Sequence, residues 1–433
     1  MKQDDHIRDI TLLGAISIGI GGMVGGGIFA VLGEAVSLAH GATMMAFAMA
    51  GVVALLTAYS YARLSVHYQN RGGTIVFVNH AFGLNLLSGS LNLLLWLSYL
   101  VTISLYAVAF ASYGLTFFAK PSEPSMRHLL ISLAILLPAV INLISASFVS
   151  KSESFIVTVK VLLLLLIIVS GSGYVDIERL SPAEWGTSLS IFVAGMIIFV
   201  AYEGFELIAN ASEEIKNPES NLPKAFFISV TLVIVLYLLI SVITVGTVPA
   251  ETLLKAKDYA LAVAAEPALG RLGFTIVTIA ALLATFSAIN ATIYGNARLS
   301  YTLAKEGELP EKLDREKDDI PLVGVMITTV LSLILANAID LTEIAIIGSA
   351  GFLLIFTLIN LSAFKLSKDI HASRTITLLS TLASFVSLLT LLIHTYEDAP
   401  KALWVFLSFI VFSILFEGVY GKFFRGHFFN QSY

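Results

Sequence analysis

No cysteine occurs among the 433 residues, so disulfides and thiolate metal sites are excluded. Charge is scarce as well: Asp, Glu, Lys and Arg make up 13% of the chain, about half the share of a soluble domain. The formal net charge of −5 has the wrong sign for a nucleic-acid partner. The histidines are dispersed, mostly in loops or near the ends of apolar runs. No metal-ligand cluster, nucleophile elbow or phosphate loop stands out, so no metal and no cofactor are implied. An intramembrane enzyme finds no catalytic constellation here. The spacings in GIGGMVGGG resemble a dinucleotide fingerprint but lack the preceding strand and βαβ context. The start, MKQDDHIRD, lacks the n-region of a signal peptide, and no small-residue cleavage site closes the first apolar run. The first span is therefore expected to be retained.

What the chain has in abundance is apolar sequence: 57% of residues are hydrophobic, and mean hydropathy is +0.88. Apolar runs of about 20 residues, the length that crosses a bilayer as a helix, recur from end to end. The expectation is an all-α polytopic membrane protein forming one domain in the lipid bilayer. Twelve spans are expected, at about Gly14–Glu34, Thr43–Ala62, Leu86–Phe118, Leu129–Val149, Phe155–Gly173 and Leu189–Ala209 in the first half. The second half holds about Phe226–Val248, Leu272–Tyr301, Pro321–Asn337, Glu343–Phe364, Thr375–His394 and Leu403–Tyr420. With the N-terminus inside, the cytoplasmic segments carry more than twice as many Lys and Arg as the outer loops, which predicts both termini in the cytoplasm of a cell-membrane protein. The second half of Tyr68–Gly83 is apolar enough to lie in the interface, whereas Arg298–Asp319 reads as solvated cytoplasmic surface.

Span one contains ISIGIGGMVGGGIFAVL, with Gly19, Gly21, Gly22, Gly25, Gly26 and Gly27 close together. Each glycine inside a helix costs about 0.5–1 kcal/mol relative to alanine. The reading is a discontinuous helix unwound over Met23–Phe29, whose freed N–H groups bind a carboxylate. The same spacings also suit close helix packing. Span six, IFVAGMIIFVAYEGFELIANA, is interrupted too. Five spans separate the two, which puts them at matching places in two inverted five-helix halves and points to a midplane site.

Three ionisable residues inside spans stand out: Lys160 in the fifth, and Glu203 and Glu206 in the sixth. A mid-span lysine costs about 2.5–3.5 kcal/mol on insertion scales, so such residues are functional candidates. Loss of water disfavours the charged form of all three, and each becomes able to exchange a proton. The structural alternatives are a lysine that snorkels to cap carbonyls and carboxylates that pair locally. Tyr202 and Phe205 flank the interruption of span six, where they close over a solute or simply pack. In span eight, Thr285, Ser287, Asn290 and Thr292 face inward.

These residues resemble the amino acid–polyamine–organocation transporter family along nearly the whole chain. The resemblance is carried by GGMVGGGIF (Gly21–Phe29), FVAYEGFE (Phe199–Glu206), NASEEIKNPESNLPKA (Asn210–Ala225) and YTLAKEGELP (Tyr301–Pro310). SFIVTVKVLLL around Lys160 is most like a broad-specificity, proton-coupled branch of the family. The resemblance implies inverted repeats over 10–175 and 186–366 and a trailing helix pair over 375–421. It implies a substrate carboxylate on Gly25, Gly26 and Gly27, and a substrate amine on carbonyls around Phe199, Val200, Tyr202 and Glu203. Lys160 matches a lysine that replaces the sodium ion of other branches, between carbonyls near Gly19–Gly22 and hydroxyls such as Ser287. Glu206 matches an acidic position of several branches. Two departures stand out: Gly26-Gly27 replaces a small side chain of many relatives, and Glu203 replaces an apolar residue and so narrows the substrate range. The expected function is amino-acid uptake with a proton as coupling ion; the expected partners are the amino-acid substrate, the proton and the lipid bilayer, with no nucleic acid. Sodium symport, amino-acid exchange and a non-transporting receptor are the rival readings. Nothing in the sequence sets the oligomeric state.

Overall fold

In a bilayer every backbone polar group must be satisfied within the protein, and an α-helix does so within one segment. The computed structural model describes residues 8–70, 72–118, 124–144, 146–316 and 320–423, the side chains of 146–155 excepted. The polar residues 1–7, and 317–319 at the end of the charged loop, lie outside the described residues. The described chain is all α, without a named strand; its β pairing is confined to single-residue bridges such as Ile10 with Ile215 and His40 with Trp185. Span one is α1 (Leu12–Met23) and α2 (Gly27–Ala39); α3 (Thr43–His67) and α4 (Thr74–Phe82) follow. Next come α5 (Leu86–Leu115), α6 (Pro124–Ile144) and α7 (Ala146–Gly171). Span six is α8 (Ser188–Ile197), a 3₁₀ turn and α9 (Leu207–Asn210), before α10 (Pro218–Thr247). Two short helices, α11 (Ala250–Lys255) and α12 (Ala260–Ala264), precede α13 (Glu266–Lys305). The chain closes with α14 (Leu322–Ala338), α15 (Leu341–Lys365), α16 (Arg374–Asp398) and α17 (Pro400–Phe423).

Among the described residues, ten segments are long and apolar enough to cross a bilayer, and α1 with α2 makes an eleventh that is bent by 49°. At 17 residues, α14 is shorter and stands where the ninth span is expected. Burial separates centre from rim. The apolar window of α5 is 94% buried, against 22% for α17, so α5 has no lipid face and α17 has a broad one. Helix α5 packs on α13, α15, α6, α14 and α17. It starts at a reciprocal cap: the Asn85 side chain accepts from the N–H groups of Leu87 (2.9 Å) and Ser88 (3.2 Å), and Ser88 Oγ accepts from the Asn85 N–H at 2.9 Å.

Two connections differ from the sequence reading. Helix α4 is more than an apolar surface segment: it is largely buried against α5 and α15. The solvated character of the loop after span eight is partial. Helix α13 runs on to Lys305, and Gly307, with φ +78°, turns the chain so that the Glu308 N–H returns to the Leu303 carbonyl at 2.8 Å. Glu308 is buried and accepts from Asn92 Nδ2 of α5 at 2.9 and 3.1 Å.

The NASEEIKNP stretch explains how one face is tied down. Ile10 pairs with Ile215, giving N–H···O bonds of 3.0 Å to Glu214 and 2.9 Å from Lys216. Ser212 and Asn70 exchange two further 3.0 Å bonds.

Candidate functional site

The two interrupted spans meet each other. Span one is non-helical over Val24–Gly26, shorter than the expected Met23–Phe29. Span six passes into a 3₁₀ turn at Ile198–Tyr202, breaks at Glu203–Glu206, and resumes as α9. Gly204 has φ +116°, a backbone region that side-chain-bearing residues rarely adopt. A Cβ on Gly204 would lie 2.6 Å from Gly22 Cα, and one on Gly22 would lie 2.5 Å from the Gly204 carbonyl oxygen. The two spans thus cross backbone on backbone, and a Cβ on Gly27 would meet Ala201 Cα at 2.8 Å in the same way. Packing and binding, the two readings of the glycines, are assigned to different residues: Gly22 and Gly27 face span six, while Gly25 faces Ala288 and the Tyr106 hydroxyl.

An α-helix leaves its first N–H groups without partners. Among the described residues, no acceptor meets the N–H of Gly25, Gly26, Gly27, Ile28 or Phe29 at the start of α2. Opposite them, the carbonyls of Tyr202 and Glu203 have no donor among the described residues. Positive helix start and negative helix end converge within one buried region, which is suited to a ligand carrying both charges.

The side chains of span six are mostly anchored elsewhere. Phe199 packs on Phe356, with ring centroids 5.9 Å apart. The Val200 N–H donates to Ser349 Oγ at 3.0 Å, and that hydroxyl donates to the Ile197 carbonyl at 2.6 Å. The Tyr202 hydroxyl donates to the Phe47 carbonyl in α3 at 2.9 Å. Phe205 joins a buried aromatic cluster with Tyr61, Phe226 and Phe356. Glu206 clasps the break: Oε2 accepts from the Gly204 N–H at 2.8 Å, and Oε1 from the Tyr99 hydroxyl at 3.2 Å. Among the described residues Glu203 accepts from the Tyr106 hydroxyl alone, at 3.5 Å, and that hydroxyl also faces Gly25.

Lys160 is 3% exposed on α7, the helix that packs on α1, α10 and α13. Those helices carry Gly19, Gly22 and Ser287. Gly19 abuts Ser229 and Ile208, and Ser287 is buried on α13.

Three tyrosines of the site escape a reading of the sequence. Tyr106 of α5 lays its ring over Gly26. Tyr99 of α5 holds Glu206. Tyr237 of α10 donates to the carbonyls of both interrupted spans, Met23 at 2.7 Å and Ala201 at 3.1 Å. A phenol inside an apolar span must find a partner, and that is the signal that could have found them.

A sequence profile described as amino acid permease matches residues 10–418. An uncharacterized protein of Methanocaldococcus jannaschii is 35% identical over 98% of both chains. The inner membrane transport protein YbaT of Escherichia coli is 34% identical, covering 93% of this chain and 94% of its own. The branched-chain amino acid permease BcaP of Bacillus subtilis is 25% identical, covering 85% and 82%. With this match over nearly its whole length, and with interrupted helices that expose backbone charge of both signs, the chain belongs to the amino acid permease family of membrane transporters.

Proposed function

We propose that this permease is a proton-coupled symporter that takes up amino acids by alternating access. The observation that carries the reading is the pairing of unsatisfied N–H groups at Gly25–Phe29 with unsatisfied carbonyls at Tyr202 and Glu203. The substrate carboxylate takes the first set and its ammonium the second, and neither needs an added ion. Glu203 extends the negative end of the site, which favours cationic over neutral side chains.

Lys160 carries the coupling. An ammonium at this place excludes Na⁺ by repulsion, and its proton comes and goes with its access to water. Its burial on α7, against α1 and α13, supports this role. In the proposed cycle a protonated Lys160 bonds to carbonyls of α1 near Gly19 and Gly22 and to Ser287, holding α1 in the binding-competent position. Deprotonation towards the cytoplasm releases α1. Residues 10–175 and 186–366 act as inverted halves and 375–421 as a trailing pair, with both termini cytoplasmic.

The test is uptake of a radiolabelled amino-acid panel into proteoliposomes under an imposed pH gradient and, separately, a Na⁺ gradient. Uptake driven by the pH gradient alone is expected. A requirement for Na⁺, or uptake only against preloaded amino acid, would replace symport with protons by the sodium or exchange reading.

A further inference from the structure

A cavity of about 470 Å³ lies away from the helix breaks, at the other end of α2. It is walled by the start of α6, the turn between α11 and α12, the start of α15 and the α16–α17 junction. Its size is that of a small-molecule site. Two of its lining residues bind a buried carboxylate behind the wall. Lys257 and Thr342 line the cavity, and both bind Glu34, which is 7% exposed on α2: Lys257 pairs with the carboxylate, and Thr342 Oγ1 donates to it at 2.8 Å. Glu34 lies seven residues beyond Gly27, or about 10 Å along the helix at 1.5 Å per residue. The turn is seated on α2 closely enough that a Cβ on Gly33 would lie 2.8 Å from Lys257 Cα. The cavity wall is therefore tied, through Lys257 and Thr342, to the helix that begins at the break of span one.

Most charges of the wall are engaged. Lys401 pairs with Glu343 at 2.9 Å, Asp398 with His394 at 2.8 Å, and Asp258 accepts from Ser112 at 3.3 Å. Two make no ion pair or side-chain hydrogen bond among the described residues: Arg127, and Asp340, which precedes α15 and faces the charge of Lys401. This cation and this anion match the two charges of an α-amino acid.

We propose that this cavity is an antechamber that binds a zwitterionic α-amino acid ahead of the site at the breaks, Arg127 taking the carboxylate and Asp340 the ammonium. The inference rests on amino-acid transport as the function. The bound zwitterion carries the same two charges as the pair of Glu34 and Lys257, so it can exchange with them and release α2. Arg127 suits the task because its planar fork meets a carboxylate with two bonds.

The absence of cysteine makes the test direct. Ala399 lines the cavity, so A399C places a single thiol in the wall. The purified protein is labelled with a maleimide in the presence of an equimolar mixture of L-alanine, L-serine, L-leucine and L-phenylalanine. At about ten times the dissociation constant, labelling should slow about tenfold, since only that fraction of sites stays open. Propionate or propylamine, each with one charge, should not protect. R127Q and D340N in the A399C background should lose the protection and raise the half-saturating concentration for uptake. Protection that survives both variants would arise from the breaks alone and would overturn the antechamber. Uptake of the mixture without any protection would overturn it while leaving transport standing. Protection without uptake would keep the antechamber and sink the transport reading.

Discussion

Gly204→Ala tests whether the two interrupted spans are held together through their backbones. Two costs add at this position. An L-residue at φ +116° is forced into a region that costs about 1–2 kcal/mol. Its methyl group would also lie 2.6 Å from Gly22 Cα and 2.8 Å from the Gly22 carbonyl oxygen, where relaxed carbon contacts need roughly 3.5–4.0 Å. Backbone cannot swing aside as a flexible side chain does, so overpacking adds about 1–3 kcal/mol. The sum, about 2–5 kcal/mol, is a large part of the roughly 5–15 kcal/mol that keeps a typical domain folded. Gly22 lies within α1, so Gly22→Ala meets only the steric part, about 1–3 kcal/mol. The double variant should lose less than the two singles together, because both methyl groups press on one contact. The assay is the fraction of monodisperse protein left after heating in detergent, alongside uptake in proteoliposomes. The order expected is wild type, then Gly22→Ala, then Gly204→Ala, with uptake lost in the last. A Gly204→Ala protein that melts within about 1 °C of wild type and transports normally would refute the crossing.

Lys160→Gln should fold and bind substrate yet lose uptake driven by a pH gradient, read as labelled amino acid retained in vesicles; unchanged dependence on the gradient would remove the lysine from the mechanism. Glu203→Gln should shift preference from cationic towards neutral amino acids about tenfold in competition assays, the loss of one charge-assisted contact. Tyr237→Phe leaves the Met23 and Ala201 carbonyls without their shared donor and should lower stability by about 1–3 kcal/mol, measured by the same heating assay. Glu206→Leu has no acceptor for either donor, so both the Tyr99 and the Gly204 bonds are lost, and uptake should fall without a change in preference among substrates.

Much of the fold was legible because hydropathy marks what lies in lipid. The expected third span, Leu86–Phe118, matches α5 at Leu86–Leu115. Helix ends were less so. Helix α10 begins at Pro218, eight residues before the apolar run, because proline suits a helix start and the run records the membrane rather than the helix. Glycine density revealed the break in span one, and Gly204 the one in span six. Their contact was not legible: Gly22 and Gly204 meet only in the folded chain, and nothing local encodes it. Tyr106 was missed for another reason. With 94% of its window buried, α5 has no polar stripe, so periodicity cannot say which residue faces the site. Glu308 read as solvated because it lies in a charged stretch, while its partner Asn92 is far away in sequence.

Proton movement with substrate is the most direct test of the central claim. A pH-sensitive dye is sealed inside proteoliposomes with no imposed gradient and the membrane potential clamped, and the amino acid that gives the greatest uptake is added outside. Symport predicts acidification of the lumen that scales with uptake and vanishes in Lys160→Gln. Uptake of the amino acid with no change in lumen pH would contradict proton coupling.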